Sequence, residues 1–411
     1  MAINSARIQS TLRHLAAFGA LPAGGTTRLS YSSEFLQAQQ YLQKEMQAAG
    51  MQTEIDAIGN LIGTFKGREP DLPAVMSGSH LDTVPQGGNY DGALGIAAAL
   101  ETARSWHEEG FIPRRSLQVL AAVEEEGTAF SLACFGVRTR SGEFRNLQAE
   151  MIKCPGSEKT LADFLRQADL PQDALQRAAV GFENLTAFIE LHIEQGAELD
   201  EQQLQTGIVT HIVGYDRLHL TLLGEANHAG TTAMHRRKDA AAAGAEIILG
   251  VRDLARCDNS FVATVGKFEV EPDVPNIVPG KVKLCVETRS YADDILQKVR
   301  CDVWKIIEKA CSANGVRWQI DGDFHVAAVP LTEQIIDVAE KAAQKLQLKY
   351  RRLPSWAGHD TQILAGAGVP TGMIFVPSVN GISHAPEEYS SAENILCGVQ
   401  LLEAVLRQLT E

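Results

Sequence analysis

Short apolar runs that stop abruptly at a histidine or a carboxylate set the frame for this sequence. AVMSGSH ends at His80, LQVLAAV runs directly into Glu124, Glu125 and Glu126, and AFIELHIEQG carries His192 near its end. Apolar runs of this length read as strands, and the small-residue helical stretch between the first two gives the alternation of an α/β layered domain. Open sheets of that kind collect ligands beyond the carboxyl ends of their strands, so polar residues at those ends are where chemistry is to be sought. Three consecutive glutamates usually mark a solvated helix face. Directly behind a buried strand that explanation fits poorly.

The periodicity predicts helices over 33–49, 92–109, 239–256, 293–313, 333–346 and 392–409, with Gly50 placed to end the first of them. The character changes near Ile208. From there to about residue 327 the pattern reads β-β-α-β-β-α-β, the size and order of a ferredoxin-like unit, and the α/β alternation resumes beyond Pro330. The expected architecture is a discontinuous α/β domain with a mixed sheet flanked by helices, formed by residues 1–210 and 328–411. An inserted α+β domain would occupy 211–327.

A chain of 411 residues with 45% hydrophobic content can bury a large core. Its 37 basic residues against 51 acidic ones give a net charge of −14, and no stretch concentrates lysine and arginine. Nucleic acid is therefore not an expected partner. The N-terminal segment carries charged and polar residues throughout, unlike a signal peptide or a membrane span, so a soluble, cytoplasmic protein with no membrane partner is expected. The seven cysteines are scattered and never spaced as CxxC, so reduced thiols are expected.

His80 and Asp82 lie two apart at a strand end, which puts them on one side of the chain, and Asp91 follows after a glycine-containing loop. A carboxylate so close to an imidazole can fix its tautomer and raise its basicity. In a hydrolytic metal site one of the clustered glutamates can bind an ion while its neighbour, left uncoordinated, takes a proton from the attacking water. Taken singly, His192 and His384 are the kind of histidine that more often makes a structural hydrogen bond. With His80, Asp91 and Glu126 they supply three imidazoles and two carboxylates, which suits a pair of Zn²⁺, Mn²⁺ or similar ions bridged by one carboxylate.

The combination of GSHLDTV, NYDGALG, EEEG, ELHIEQG, NHAGTTAM, PNIVPG, GHD and NGISHAPEE resembles the binuclear M20 metallohydrolases of the amidase and carbamoylase branch. The resemblance runs from PAGGTTRLSYS near residue 22 to the last predicted helix. It implies a zinc-peptidase-like catalytic domain and a homodimer formed through the inserted domain, which would also act as a lid. It implies two divalent ions (Mn²⁺ or Zn²⁺): His80, Asp91 and His192 around one, Asp91 bridging to a second held by Glu126 and His384. Glu125 would be the general base, with Asp82 orienting His80. His228 would reach across the dimer and stabilise the developing oxyanion, help of a kind worth about 3 kcal/mol of barrier. Asn276 and Arg289 match positions that hold a substrate carboxylate, which a guanidinium can grip bidentately. His359 would lie near the ureido end, while Asp360 beside it is as readily a capping residue.

Two departures bear on the substrate. Tyr215 stands where allantoate amidohydrolases commonly carry glutamine, presenting a ring and a hydroxyl rather than an amide pair. Ala233 stands where proline is usual, which changes loop stiffness. The resemblance therefore implies hydrolysis of a linear C–N bond in a small ureido acid. Allantoate is the leading candidate substrate, with N-carbamoyl-L-amino acids or N-carbamoyl-β-alanine as alternatives. A metallo-peptidase on the same scaffold and a catalytically dead binding relative are the competing readings. Asn276, Arg289 and the EEEG spelling argue against the first, and retention of every matched ligand position argues against the second.

Overall fold

The computed structural model describes residues 3–411. The chain separates into two compact units, one built from residues up to Thr210 with Pro330–Leu353 and Gly358–Glu411, the other from His211–Val329 with Pro354–Ala357.

The first unit is built on a mixed sheet. Its strands are β1 (Gln52–Ile55), β2 (Leu61–Phe65), β3 (Ala74–His80), β4 (Leu117–Ala122), β5 (Leu185–Ile193) and β6 (Thr206–Ile212), joined late in the chain by β13 (Val329–Pro330), β14 (Tyr350–Ser355) and β15 (Thr371–Val376). The order runs β1-β2-β4-β3-β5-β15-β6-β13, with β14 also beside β6. The central strands β4, β3, β5 and β15 are mutually parallel, whereas β2 pairs antiparallel with β4 and β6 with β15. Strands β3 and β15 are buried along their whole length, as expected where helices cover both faces of a parallel core. The helix Ala93–Glu109, almost entirely buried through Trp106, packs against β3. The fold class agrees with the sequence reading, an α/β unit with a mixed central sheet. Shorter helices not expected from the sequence occupy Ser5–Ala17 and several segments between Phe135 and Glu201.

The second unit contains β7 (Gly214–Leu223), β8 (Asn227–His228), β9 (Phe261–Glu271), β10 (Ile277–Val278), β11 (Lys281–Ser290) and β12 (Arg317–Val326). Its four-stranded antiparallel sheet has the order β12-β7-β11-β9. Helices Ala240–Arg256 and Asp293–Ala313 bury Ile247, Val251, Val299, Val303 and Ile307 against Leu220, Leu222, Val282 and Leu284 of the sheet. The core pattern is β-α-β-β-α-β. The first strand of the sequence pattern, Thr206–Ile212, pairs instead with β15 of the first unit's sheet, because Ile208 and Val209 are fully buried there. Among the described residues all seven cysteines are free, and no helix is long and apolar enough to cross a membrane.

Candidate metal centre

Four parallel strands end on one side of the first sheet, and the chemistry-bearing residues stand at those ends. His80 is the last residue of β3 and is paired in register with Ala122, two positions before Glu124. His192 sits in the penultimate position of β5, opposite Phe375 of β15, and His384 follows β15 after one loop. Asp91 lies just before the helix Ala93–Glu109. Gly92 between them has φ +63°, and a Cβ there would lie 2.5 Å from the His80 ring, so only glycine lets the chain turn so close to the imidazole. Glu124, Gln195 and His384 also adopt left-handed φ angles of 57°, 59° and 56°. Non-glycine residues hold such angles when their surroundings over-determine them, a pattern that clusters at functional sites.

Asp91 is the hub. Its Oδ1 is 3.2 Å from His80 Nε2 and 3.2 Å from His192 Nε2, and its Oδ2 is 3.3 Å from His384 Nε2. The same His384 nitrogen is 3.4 Å from Glu126 Oε1. Donors bound tetrahedrally at about 2.1 Å stand roughly 3.4 Å apart, so these spacings suit a cation on each side of the carboxylate. Asp91 Oδ1 and Glu126 Oε1 are buried without a hydrogen-bond partner, a costly state that a cation would relieve. Two other groupings have ligand-compatible spacing. Glu125 joins His80 and Glu126 in one, and Glu190, His192 and His359 form the other.

The remaining nitrogens of the buried imidazoles are fixed by the main chain. His80 Nδ1 is 3.0 Å from the Asp82 carbonyl and His192 Nδ1 is 2.9 Å from the Ile193 carbonyl. Each Nδ1 therefore donates, which leaves the Nε2 lone pair facing Asp91. Asp82 thus reaches His80 with its main-chain oxygen, whereas its carboxylate is 3.8 Å from Nδ1. That carboxylate instead accepts the backbone N–H groups of Glu125 and Glu126, both at 3.1 Å, and so ties the His80 loop to the glutamate loop.

The electrostatics describe a donor set short of positive charge. Burial raises the Glu125 carboxyl well above its ordinary range; the charge of His80 opposes this, and those of Glu126, Asp360 and Asp82 add to it. Burial together with Asp91 pushes Glu126 to about 7. His384 is raised to about 9, chiefly by its hydrogen bond to Asp91. For Asp91 burial acts upward, but His192, His384 and His80 overcome it and hold the carboxyl well below its usual value. Borrowed protons here stand in for the charge that divalent cations would supply.

His359 is buried beside this cluster, its ring 4.7 Å from that of His192, and burial lowers its pKa well below the ordinary imidazole value. Asp360 occupies the first turn of the helix Asp360–Gly366, 1% exposed, with both carboxylate oxygens unpaired. Sequence reasoning passed over three residues. Glu190, fully buried, accepts from Ser79 Oγ at 2.6 Å and Thr361 Oγ1 at 2.5 Å. Gln195 donates to Asp91 Oδ2 at 2.8 Å. Glu388 binds the Asp91 loop. All three stand inside the ELHIEQG and HAPEE motifs, which were the available signal.

The other four expected site residues belong to the second unit. Tyr215 and Arg289 are directly paired across β7 and β11. Arg289 Nε donates to Glu287 Oε1 at 2.9 Å and its Nη1 to the Trp356 carbonyl at 3.0 Å, while Arg217 lies 5.1 Å over the Tyr215 ring. His228 pairs with Ile277, and the Ala229 N–H donates to the Asn276 carbonyl, so His228 and Asn276 form a second neighbouring pair. Both are exposed.

Residues 76–408 match the model described as peptidase family M20/M25/M40. The chain is 37% identical to an N-carbamoyl-L-amino-acid amidohydrolase of Paenarthrobacter aurescens over 98% of this chain and 97% of that protein. It is also 37% identical to the allantoate amidohydrolase of Escherichia coli (strain K12), again over 98% and 97%. A solved amidase of the hydantoinase/carbamoylase family from Burkholderia multivorans superposes with a TM-score of 0.90 at 28% identity, covering 100% of this chain and 98% of that one.

Proposed function

The chain belongs to peptidase family M20/M25/M40, and on that premise we propose that it is a divalent-metal-dependent amidohydrolase that cleaves a linear, non-peptide C–N bond of a small ureido acid. The observation that carries this reading is the division of Asp91. One oxygen faces His80 and His192 and the other faces His384, with Glu125 alongside, its Oε2 3.8 Å from His80 Nε2. His80, Asp91 and His192 would hold one ion, and Asp91, Glu126 and His384 a second. Bound Zn²⁺ or Mn²⁺ would polarise the ureido carbonyl and ease ionisation of the attacking water.

Glu125 takes the proton of that water and returns it to the leaving nitrogen. Glu125 is buried beside the cluster and lies outside both proposed ligand sets, so its carboxylate is placed for both halves of that transfer. Arg289, with Asn276, grips the substrate carboxylate; Glu287 and the Trp356 carbonyl hold its guanidinium in place beforehand. His228 Nδ1 accepts the N–H groups of Gly230 and Thr231 at 3.0 and 3.2 Å, so Nε2 is the ring's donor. That donor would stabilise the oxyanion in the active site of a partner subunit, through a homodimer formed by the second unit.

Allantoate is the first reading of the substrate, giving ureidoglycine, ammonia and carbon dioxide. N-carbamoyl-L-amino acids are the second, favoured by one observation: Tyr215, paired with Arg289, offers no amide for a second ureido arm. Ammonia release from allantoate, N-carbamoyl-L-amino acids and N-carbamoyl-β-alanine, with protein reconstituted separately with manganese and with zinc, tests the reading. Turnover of one of the three identifies the substrate. Turnover of none, with dipeptides cleaved instead, overturns it.

A further inference from the structure

Glu388 is 4% exposed, and its carboxylate is fully engaged. Oε1 accepts the backbone N–H groups of Tyr90 at 2.9 Å and Asp91 at 3.1 Å, and Oε2 accepts from Ser383 Oγ at 3.0 Å. Ser383 Oγ is in turn 3.0 Å from Asp91 Oδ2, the oxygen that faces His384. Glu388 therefore crosslinks two ligand-bearing loops that are nearly 300 positions apart in sequence. It does for Asp91 and His384 what Asp82 does for His80 and Glu126: a buried carboxylate on the histidine's loop receives two consecutive N–H groups from the carboxylate's loop. The neighbouring backbone is shaped around it, since a Cβ at Gly88 would lie 2.1 Å from Glu388 Cδ.

We propose that Glu388 is a positioning residue that sets the spacing between Asp91 and His384, and so governs the affinity of the cation held on the His384 side of Asp91. With its oxygens already taken up by Tyr90, Asp91 and Ser383, Glu388 acts through the ligands rather than as one. The effect is one-sided because the other oxygen of Asp91 faces His80 and His192, which β3 and β5 hold in place without help from residue 388. This inference rests on the two-cation reading above.

The test is equilibrium titration of the full-length metal-free protein with Mn²⁺ and with Co²⁺, following bound metal per chain and the visible spectrum of the cobalt form, for wild type, Glu388→Ala, Glu388→Gln and Gly88→Ala. Wild type is expected to bind two cations. Glu388→Ala is expected to weaken one of them by about 10–100-fold, the range typical for partners that orient metal ligands, with the other unchanged and the cobalt spectrum altered for one ion alone. Glu388→Gln can still accept both N–H groups and contact Ser383, and should recover most of the loss. Gly88→Ala displaces Glu388 without removing it, and should reproduce the selective weakening even if Glu388→Ala does not fold. Two equally tight cations in both Glu388→Ala and Gly88→Ala, or equal weakening of both cations, overturns the role of Glu388. Wild type binding fewer than two cations overturns the two-cation reading itself.

Discussion

His80 and His192 of the first unit and His228 of the second are wired in opposite senses. In the first unit His80 and His192 each give an Nδ1 proton to a main-chain carbonyl, so a lone pair on Nε2 faces Asp91. In the second unit His228 Nδ1 accepts two main-chain N–H groups, so Nε2 presents a proton. The first arrangement suits a cation and the second an anion. Burial divides the same way: His80 and His192 are 2% and 1% exposed, whereas His228 and Asn276 lie open to solvent. The same side-chain type thus serves opposite charges according to what the backbone offers its other nitrogen.

Substitutions that separate cation binding from turnover test this contrast. The largest effect is expected for Asp91→Ala, which removes the carboxylate between the two sets of imidazoles; metal analysis should find neither ion retained, and turnover should vanish. Chelation of the wild-type protein should mimic it, with recovery on returning the metal. Glu125→Gln should keep its cations while kcat falls by about 10²–10⁴-fold, the usual share of a positioned acid–base group. Metal loss in this variant would instead make Glu125 a ligand, as its spacing from His80 and Glu126 allows. His228→Ala should lower kcat by about 10²–10³-fold, as for loss of one oxyanion donor, with metal content untouched. Mixing His228→Ala with Glu125→Gln should restore part of the turnover if the two groups act across a dimer. The smallest effect is expected for Arg289→Lys, a rise in KM of about 10–100-fold from a lost charge-assisted hydrogen bond, with kcat little changed. A fall in kcat at constant KM would show that Arg289 does not simply bind the ground state.

Much of the fold could be read from local pattern. The helix predicted over 293–313 is found at Asp293–Ala313, and the other five predicted helices agree to within about one residue at each end. Their apolar periodicity is strong and their ends carry ordinary caps: Asp239 accepts from Ala241 and Ala242, and Ser391 from Asn394. The helix Ser5–Ala17, which buries Ile8, Leu12 and Leu15, is not among the helices expected from the sequence. The apolar run from Ile208 opens the pattern expected of the second unit, but Thr206–Ile212 pairs in the first unit's sheet; such a run says that a strand is buried, not against which partner. In the candidate site, the expected metal ligands of the first unit were visible as polar ends of apolar runs, and the structure gathers them. The residues that fix those ligands, Glu190, Gln195 and Glu388, lie inside the same motifs, but their partners were not visible. Glu388 meets Asp91 and Glu190 meets Ser79 only through tertiary pairing, and no local pattern tells which group a carboxylate will meet a hundred or more positions away.

The place of β15 in the sheet has a consequence for biosynthesis. This strand, residues Thr371–Val376, lies between β5 and β6, which are made more than 150 residues earlier. Until translation passes it, the growing polypeptide holds a gap in the middle of its sheet, with the apolar edge of β5 unpaired and His384 not yet made. Four of the five candidate metal-binding side chains are therefore synthesised well before the strand that closes the layer and the loop that brings the fifth. Gathering of all five side chains around Asp91 is thus a late event, and the nascent chain is exposed to edge-to-edge association from the completion of β5 at Ile193 until β15 is made.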